Sequence, residues 1–236
     1  MKRFVLAFLA LISLGAQSAS AVTLEDIILN GNSITDGDKT YSNFSTSGST
    51  NVAGNGVASY PNAADITVTL SHSGNLYSIT FSGFSLTGDA FGTGDIGQAD
   101  LSISFDVTAA AGHQITSVGQ TITGSWTDGA GHAYSDETIS GYGNLHTEAG
   151  STTSAPIAPP AQTLHIVKDV NVLAVWNEAA ESNGSSSAHI SVIQQSFQQT
   201  ATAPEIHANA LWSAISLLMG SVAVILGYRR SAVLAH

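Results

Sequence analysis

From Leu101 to Val107 the chain reads Leu-Ser-Ile-Ser-Phe-Asp-Val, apolar and polar residues in strict alternation. Two is the side-chain period of a strand with one buried face; a helix would split those four apolar residues between opposite sides. The same period recurs at Ile66, Val68 and Leu70 and again at Tyr77, Ile79 and Phe81. His72-Ser73-Gly74-Asn75 lies between these runs and supplies turn residues, so the pair reads as a β-hairpin. Weaker runs cover Ile115 to Thr123, Leu164 to Trp176 and His189 to Phe197. No amphipathic helical period occurs between residues 40 and 200. Strands at short spacing with glycine-rich turns predict an all-β chain, an antiparallel β-sandwich over residues 22–199. Ala155 to Pro160 (APIAPP) could pass for a linker, but the stretch from Leu164 to Phe197 is too short to bury a core alone. The prolines therefore predict a stiff loop at 155–160 inside one sandwich.

Charge narrows the partners. Charged residues make up 10% of the chain, against about 25% in an average soluble protein. Four of the six basic residues (Lys2, Arg3, Arg229, Arg230) stand at the chain ends, leaving Lys39 and Lys168 between them against all 17 acidic residues. So negative a body repels nucleic acid and anionic lipid, and suits divalent cations or neutral polysaccharide. There is no cysteine, which excludes disulfides, thiolate metal sites, a cysteine nucleophile and a lipid-modified N-terminal cysteine.

The ends read as targeting segments. Lys2 and Arg3, the apolar run from Phe4 to Leu14, and Ala19-Ser20-Ala21 have the order of a secretory signal peptide over residues 1–21, with Ala19 and Ala21 as the small residues of the cleavage site. Residues 200–209 form a polar spacer. Residues 210–228 then carry no charge, and at about 1.5 Å per helical residue they reach roughly 28 Å, enough to cross the hydrocarbon layer. Trp212 and Tyr228 fall at its two ends, and Arg229 and Arg230 open a basic tail, 229–236, expected to stay cytoplasmic. The precursor is thus expected to cross the inner membrane once.

Pro204-Glu205-Ile206, the single apolar span and the arginine pair, in that order, resemble the PEP-CTERM sorting signal in its Pro-Glu-Ile variant. The resemblance implies an exosortase as processing partner, Pro204, Glu205 and Ile206 as the recognition element, and Arg229 and Arg230 as the basic stop. It covers about the last 30 residues. Near the other end, Gly37-Asp38-Lys39-Thr40-Tyr41-Ser42-Asn43-Phe44 is similar to the Gly-Asp-Lys-x-Phe-Ser-Asn-Phe opening of exported PEP-CTERM proteins, with Tyr41 in the Phe place. Tyr41 and Phe44 are expected in the core, and Asp38 and Lys39 as a local pair of little energy.

Catalytic chemistry is poorly represented. Gly31-Asn32-Ser33-Ile34-Thr35 resembles the nucleophile block of the SGNH hydrolases, with Ser33 as nucleophile, but the Gly-x-Asn-Asp and Asp-x-x-His blocks of that family do not occur. Asp89, Asp95 and Asp100 fall in the glycine-rich stretch 87–100, whose carboxylates suit calcium, yet neither EF-hand nor nonapeptide spacing is present; a solvated loop is the plainer reading. Asp128, Asp136 and Glu137 read as a second such loop. His113, His132 and His146 follow no metal-ligand spacing. No cofactor is expected, with calcium the one ion considered. The sequence therefore reads as a non-enzymatic exported surface or matrix protein associated with exopolysaccharide or biofilm. The alternatives are a carbohydrate- or calcium-binding adhesion module and, third, a secreted hydrolase.

Overall fold

The computed structural model of the chain describes residues 21–127, 131–176, 185–202 and 216–217. The chain divides into two units, residues 1–200 and 201–236. The first is built almost wholly of strands, as the alternation predicts. In order these are β1 (Ala21–Thr23), β2 (Ser33–Asp36), β3 (Lys39–Ala53), β4 (Val57–Ser59), β5 (Thr67–Ser73), β6 (Leu76–Ser82), β7 (Leu86–Ala90) and β8 (Ile96–Ala109). They continue as β9 (His113–Trp126), β10 (His132–Ile139), β11 (Gly143–Glu148), β12 (Thr152–Ala161), β13 (Thr163–Val175) and β14 (Ser186–Ala201). One short helix, α1 (Leu24–Leu29), sits between β1 and β2, with the Thr23 side chain accepting from the Asp26 amide at its start. A 3-10 turn covers Ala63–Asp65.

Six strands form an antiparallel sheet in the order β11-β10-β13-β8-β3-β2. Eight form the other, around the long strand β14. β7 lies along Ser186–Ile190 and β6 along Ile193–Gln198 on one edge of β14; β9 takes the other edge and is itself bordered by β12. The β5–β6 hairpin is present and pairs Val68 with Phe81 and Leu70 with Ile79, but its turn is tighter than expected: His72 and Ser73 still belong to β5, opposite Tyr77 and Leu76, and only Gly74 and Asn75 lie between the strands.

The sheets face each other across one core. Phe105 of β8 has the Tyr41, Phe44, Phe81 and Phe197 rings around it, at centroid distances of 5.5–6.4 Å, and Phe81 and Phe197 come from the opposite sheet. Strand β8 buries every second residue without a break, Ala99, Leu101, Ile103, Phe105 and Val107 among them. Tyr41 and Phe44 are core residues as expected. Asn43, at φ 55°, sits where the β3–β8 register shifts between Ser42 and Ser45, and that bulge turns Phe44 inward.

Two expectations fail. Residues 155–160 are not a loop but the middle of β12. Prolines cannot donate to a ladder, but among the described residues β12 pairs only with β9, so its other edge can hold them, and the register shifts between Pro156 and Ala161. Residues 87–100 are likewise mostly strand, Leu86–Ala90 in β7 and Ile96 onward in β8. Their glycines serve close approach: a Cβ on Gly97 would lie 2.3 Å from the Val57 carbonyl oxygen, and one on Gly88 2.3 Å from the Gly97 oxygen. Backbones of the two sheets touch there.

Of the apolar span at 210–228, only Ser216 and Leu217 are described, both helical and exposed. Among the described residues no helix is long and apolar enough to cross a membrane. Ala19, the tripeptide Pro204, Glu205 and Ile206, and Arg229 and Arg230 lie outside the described residues. Ala21 is the first residue of β1 and pairs with Thr69.

Candidate functional site

Two polar centres stand out, one open to solvent and one sealed between the sheets. The open one grows from the Gly37–Phe44 segment. Asp36 pairs with Lys39 across a two-residue turn, in which Gly37 takes φ 56°. Asp38 accepts hydrogen bonds from Lys39 Nζ at 3.0 Å and Gln199 Nε2 at 2.6 Å, and His113 Nε2 lies 3.8 Å from it. Burial pushes this carboxyl up, but the bonds from Gln199, Lys39 and Tyr77 outweigh it and hold it below the usual range. The Lys39–Asp38 pair is local as expected, but Lys39 is not at the surface: it is fully buried, with Nζ 4.3 Å from the centre of the Tyr77 ring. Burial pushes its ammonium pKa down, against the pull of Asp38. His72 stacks on Tyr77 and meets Asp36 at 2.8 Å. Asp36 Oδ2, His113 Nδ1 and Gln199 Oε1 find no partner among the described residues.

The sealed centre was not foreseen. Lys168 of β13 and Glu137 of β10 are direct cross-strand partners, and both are fully buried. Lys168 Nζ donates to Glu137 Oε2 at 2.5 Å, to Gln120 Oε1 of β9 at 2.6 Å, and to Gln195 Oε1 of β14. Gln195 Nε2 in turn donates to Glu137 Oε1 at 3.0 Å. Gln120 is fixed from behind: its Nε2 donates to the Ser135 carbonyl, and its Oε1 accepts from Ser135 Oγ, each at 3.3 Å. All five residues are completely buried. Glu137 therefore does not belong to a solvated loop as expected; it and Asp136 lie on β10, which alternates inward and outward. Burial drives the Lys168 pKa down, with Glu137 opposing. An ion pair so placed has lost its hydration and depends on its remaining hydrogen bonds, which this centre supplies from both sheets.

The other residues singled out by sequence do not converge. Asp89 lies on β7, opposite Val57 and Ser187. Asp100 lies on β8 and accepts from Asn171 Nδ2 and Ser49 Oγ. Asp95 is buried, and its oxygens accept the Asn55 amide at 2.9 Å and the Phe91 amide at 3.3 Å. Among the described residues no three metal-ligating side chains gather in one place. His113, His132 and His146 are apart. His146 is held by Asp136 at 2.8 Å and Glu148 at 3.1 Å, and these two bonds, Asp136 first, raise its pKa. Ser33 lies on strand β2 opposite Ser42, not on the strand-to-helix turn of a nucleophile block.

Neither a protein-family model nor a curated protein sequence matches the chain.

Proposed function

We propose that this is a non-enzymatic exported protein of the bacterial surface or extracellular matrix. In this reading it is sorted through its tail by an exosortase and associates with exopolysaccharide or biofilm. The observation that carries it is the order Pro204-Glu205-Ile206, apolar span, Arg229-Arg230 behind a signal-peptide-like start, with the Gly37–Phe44 segment agreeing. The exterior fits a neutral glycan better than an anionic polymer. Both lysines of the body are buried, and hydroxyl ladders such as Ser45–Ser104, Thr108–Thr163 and Thr121–Thr152 line its strands.

Intact-mass analysis of protein from the native cell tests the reading. The expected species begins at Val22 and ends near residue 204. Changing Pro204 and Glu205 to alanine should trap the longer form in the membrane without affecting insertion, which depends on the apolar run and the arginines. A native protein that keeps its full C-terminus, with the double variant behaving like wild type, makes the tail a plain anchor.

A second reading, a carbohydrate- or calcium-binding adhesion module, draws on the centre around Asp38, where Tyr77, Gln199 and His113 meet polar atoms that have no partner among the described residues. Calorimetry of residues 22–202 with calcium and a glycan panel tests it, and binding lost in Asp38→Ala supports it.

A further inference from the structure

We propose that the sealed centre makes a covalent bond: the Lys168 amine attacks the Gln195 carboxamide, and an amide link forms between the two sheets as ammonia leaves. The inference rests on the interior geometry and is independent of how the chain is sorted. Nζ of Lys168 contacts Oε1 of Gln195, one bond from the carbon it attacks. Glu137 touches both ends of the exchange. Its Oε2 is 2.5 Å from the nucleophile and its Oε1 is 3.0 Å from Nε2 of Gln195, the group that leaves. Gln120 also offers Oε1 to Nζ, but its Nε2 donates to the Ser135 carbonyl, where that of Gln195 donates to Glu137. This asymmetry singles out Gln195.

The step balances without any other reactant. Glu137 first takes a proton from the Lys168 ammonium, which frees the Nζ lone pair to form a bond to Cδ of Gln195. The Cδ–Nε2 bond breaks as Glu137 gives that proton to Nε2 and takes the second one that Nζ sheds; ammonia departs and Glu137 is left protonated. Carbon keeps its oxidation state. Burial favours the neutral, nucleophilic amine. The strands hold both reactants in place, so folding itself supplies the orientation that such a reaction otherwise lacks. In a chain without cysteine, the product is a cross-link from β13 of one sheet to β14 of the other.

Peptide mapping decides it, on the full chain denatured and digested with trypsin. Cleavage after Lys39 is expected, and cleavage after Lys168 is expected to fail, because its amine is blocked. Fragments 40–168 and 169–229 should then be missing as separate species. The intact mass should be lower than the sequence mass by one ammonia. Chymotrypsin, cutting at Leu173 and Trp176, should leave the peptides of Lys168 and Gln195 joined. In Glu137→Gln the normal mass and cleavage after Lys168 should return. Should that variant fail to fold, the wild-type mass and map still decide. Full cleavage after Lys168 with an unshifted mass overturns the proposal and leaves a buried ion pair. Loss of water in place of ammonia, or a link on Gln120, also overturns the assignment to Gln195.

Discussion

Replacing Asp95 by alanine should cost far more than a loop aspartate is worth. The carboxylate ties the turn after β3 to the loop before β8 through the Asn55 and Phe91 amides. Truncation leaves both amides without an acceptor. A hydrogen bond to a charged group contributes about 1.5–3 kcal/mol, and the longer of these belongs at the low end, so the loss is about 3–4 kcal/mol. With a urea dependence of about 2 kcal/mol per molar, the unfolding midpoint of residues 22–202 should fall by about 1.5–2 M. A second substitution tests the geometry. Gly54 has φ 61°, and a Cβ there would stand 2.0 Å from Asp95 Oδ1. Gly54→Ala alone therefore meets the left-handed backbone cost, about 1–2 kcal/mol, and a collision with the carboxylate. In the Asp95→Ala background only the backbone cost remains, so the double variant should be more stable than the sum of the singles by at least about 1 kcal/mol. Urea unfolding followed by Trp126 and Trp176 fluorescence measures this. Additive losses, or an Asp95→Ala loss below about 1 kcal/mol, would refute the clamp. A wild-type midpoint that rises with calcium, and does not in Asp95→Ala, would make Asp95 a ligand instead.

Phe105→Ala removes the ring on which four others pack and should cost about 3–5 kcal/mol in the same assay; the half-exposed Leu76→Ala should cost under about 1 kcal/mol. His146 should titrate by NMR above its ordinary 6.5, and Asp136→Asn should lower that midpoint. Because its folded pKa is raised, the stability it contributes is complete below about 6.5 and disappears as pH rises through the folded midpoint; His146→Ala should abolish that slope. Ser33→Ala should leave CD spectrum and esterase background unchanged, since Ser33 is an exposed strand residue; loss of an esterase activity would restore the hydrolase reading.

The strands with large apolar residues at every second position, β5, β6 and β8, were legible because size and period agreed. β10 was not. Its inward row is Ala133, Ser135, Glu137 and Ile139, small and polar enough to pass for a loop. β12 was hidden by its prolines, which an edge strand tolerates and a central one does not. The sealed centre left one trace. In the run from Leu164 to Val172, Lys168 holds the same parity as Leu164, Ile166, Val170 and Val172, an inward place for a charge. That parity announces a buried amine, but not its partners. Gln120, Glu137 and Gln195 meet it only through the pairing order of β9, β10, β13 and β14, which local pattern does not encode. The Asp38 centre was half visible, since its turn lies in the Gly37–Phe44 segment while Tyr77, His113 and Gln199 come from elsewhere.

The burial of both lysines has a colloidal consequence. Among the described residues, the exposed charged side chains are carboxylates, tempered only by histidines. Two copies of the body therefore offer each other no lysine or arginine side chain to attract. At neutral pH they repel over about a Debye length, roughly 8 Å at physiological salt and about 30 Å at 0.01 M. How closely such bodies crowd in a gel is then set by the medium, by its ionic strength, its acidity and its supply of divalent ions, and little by any patch on the protein.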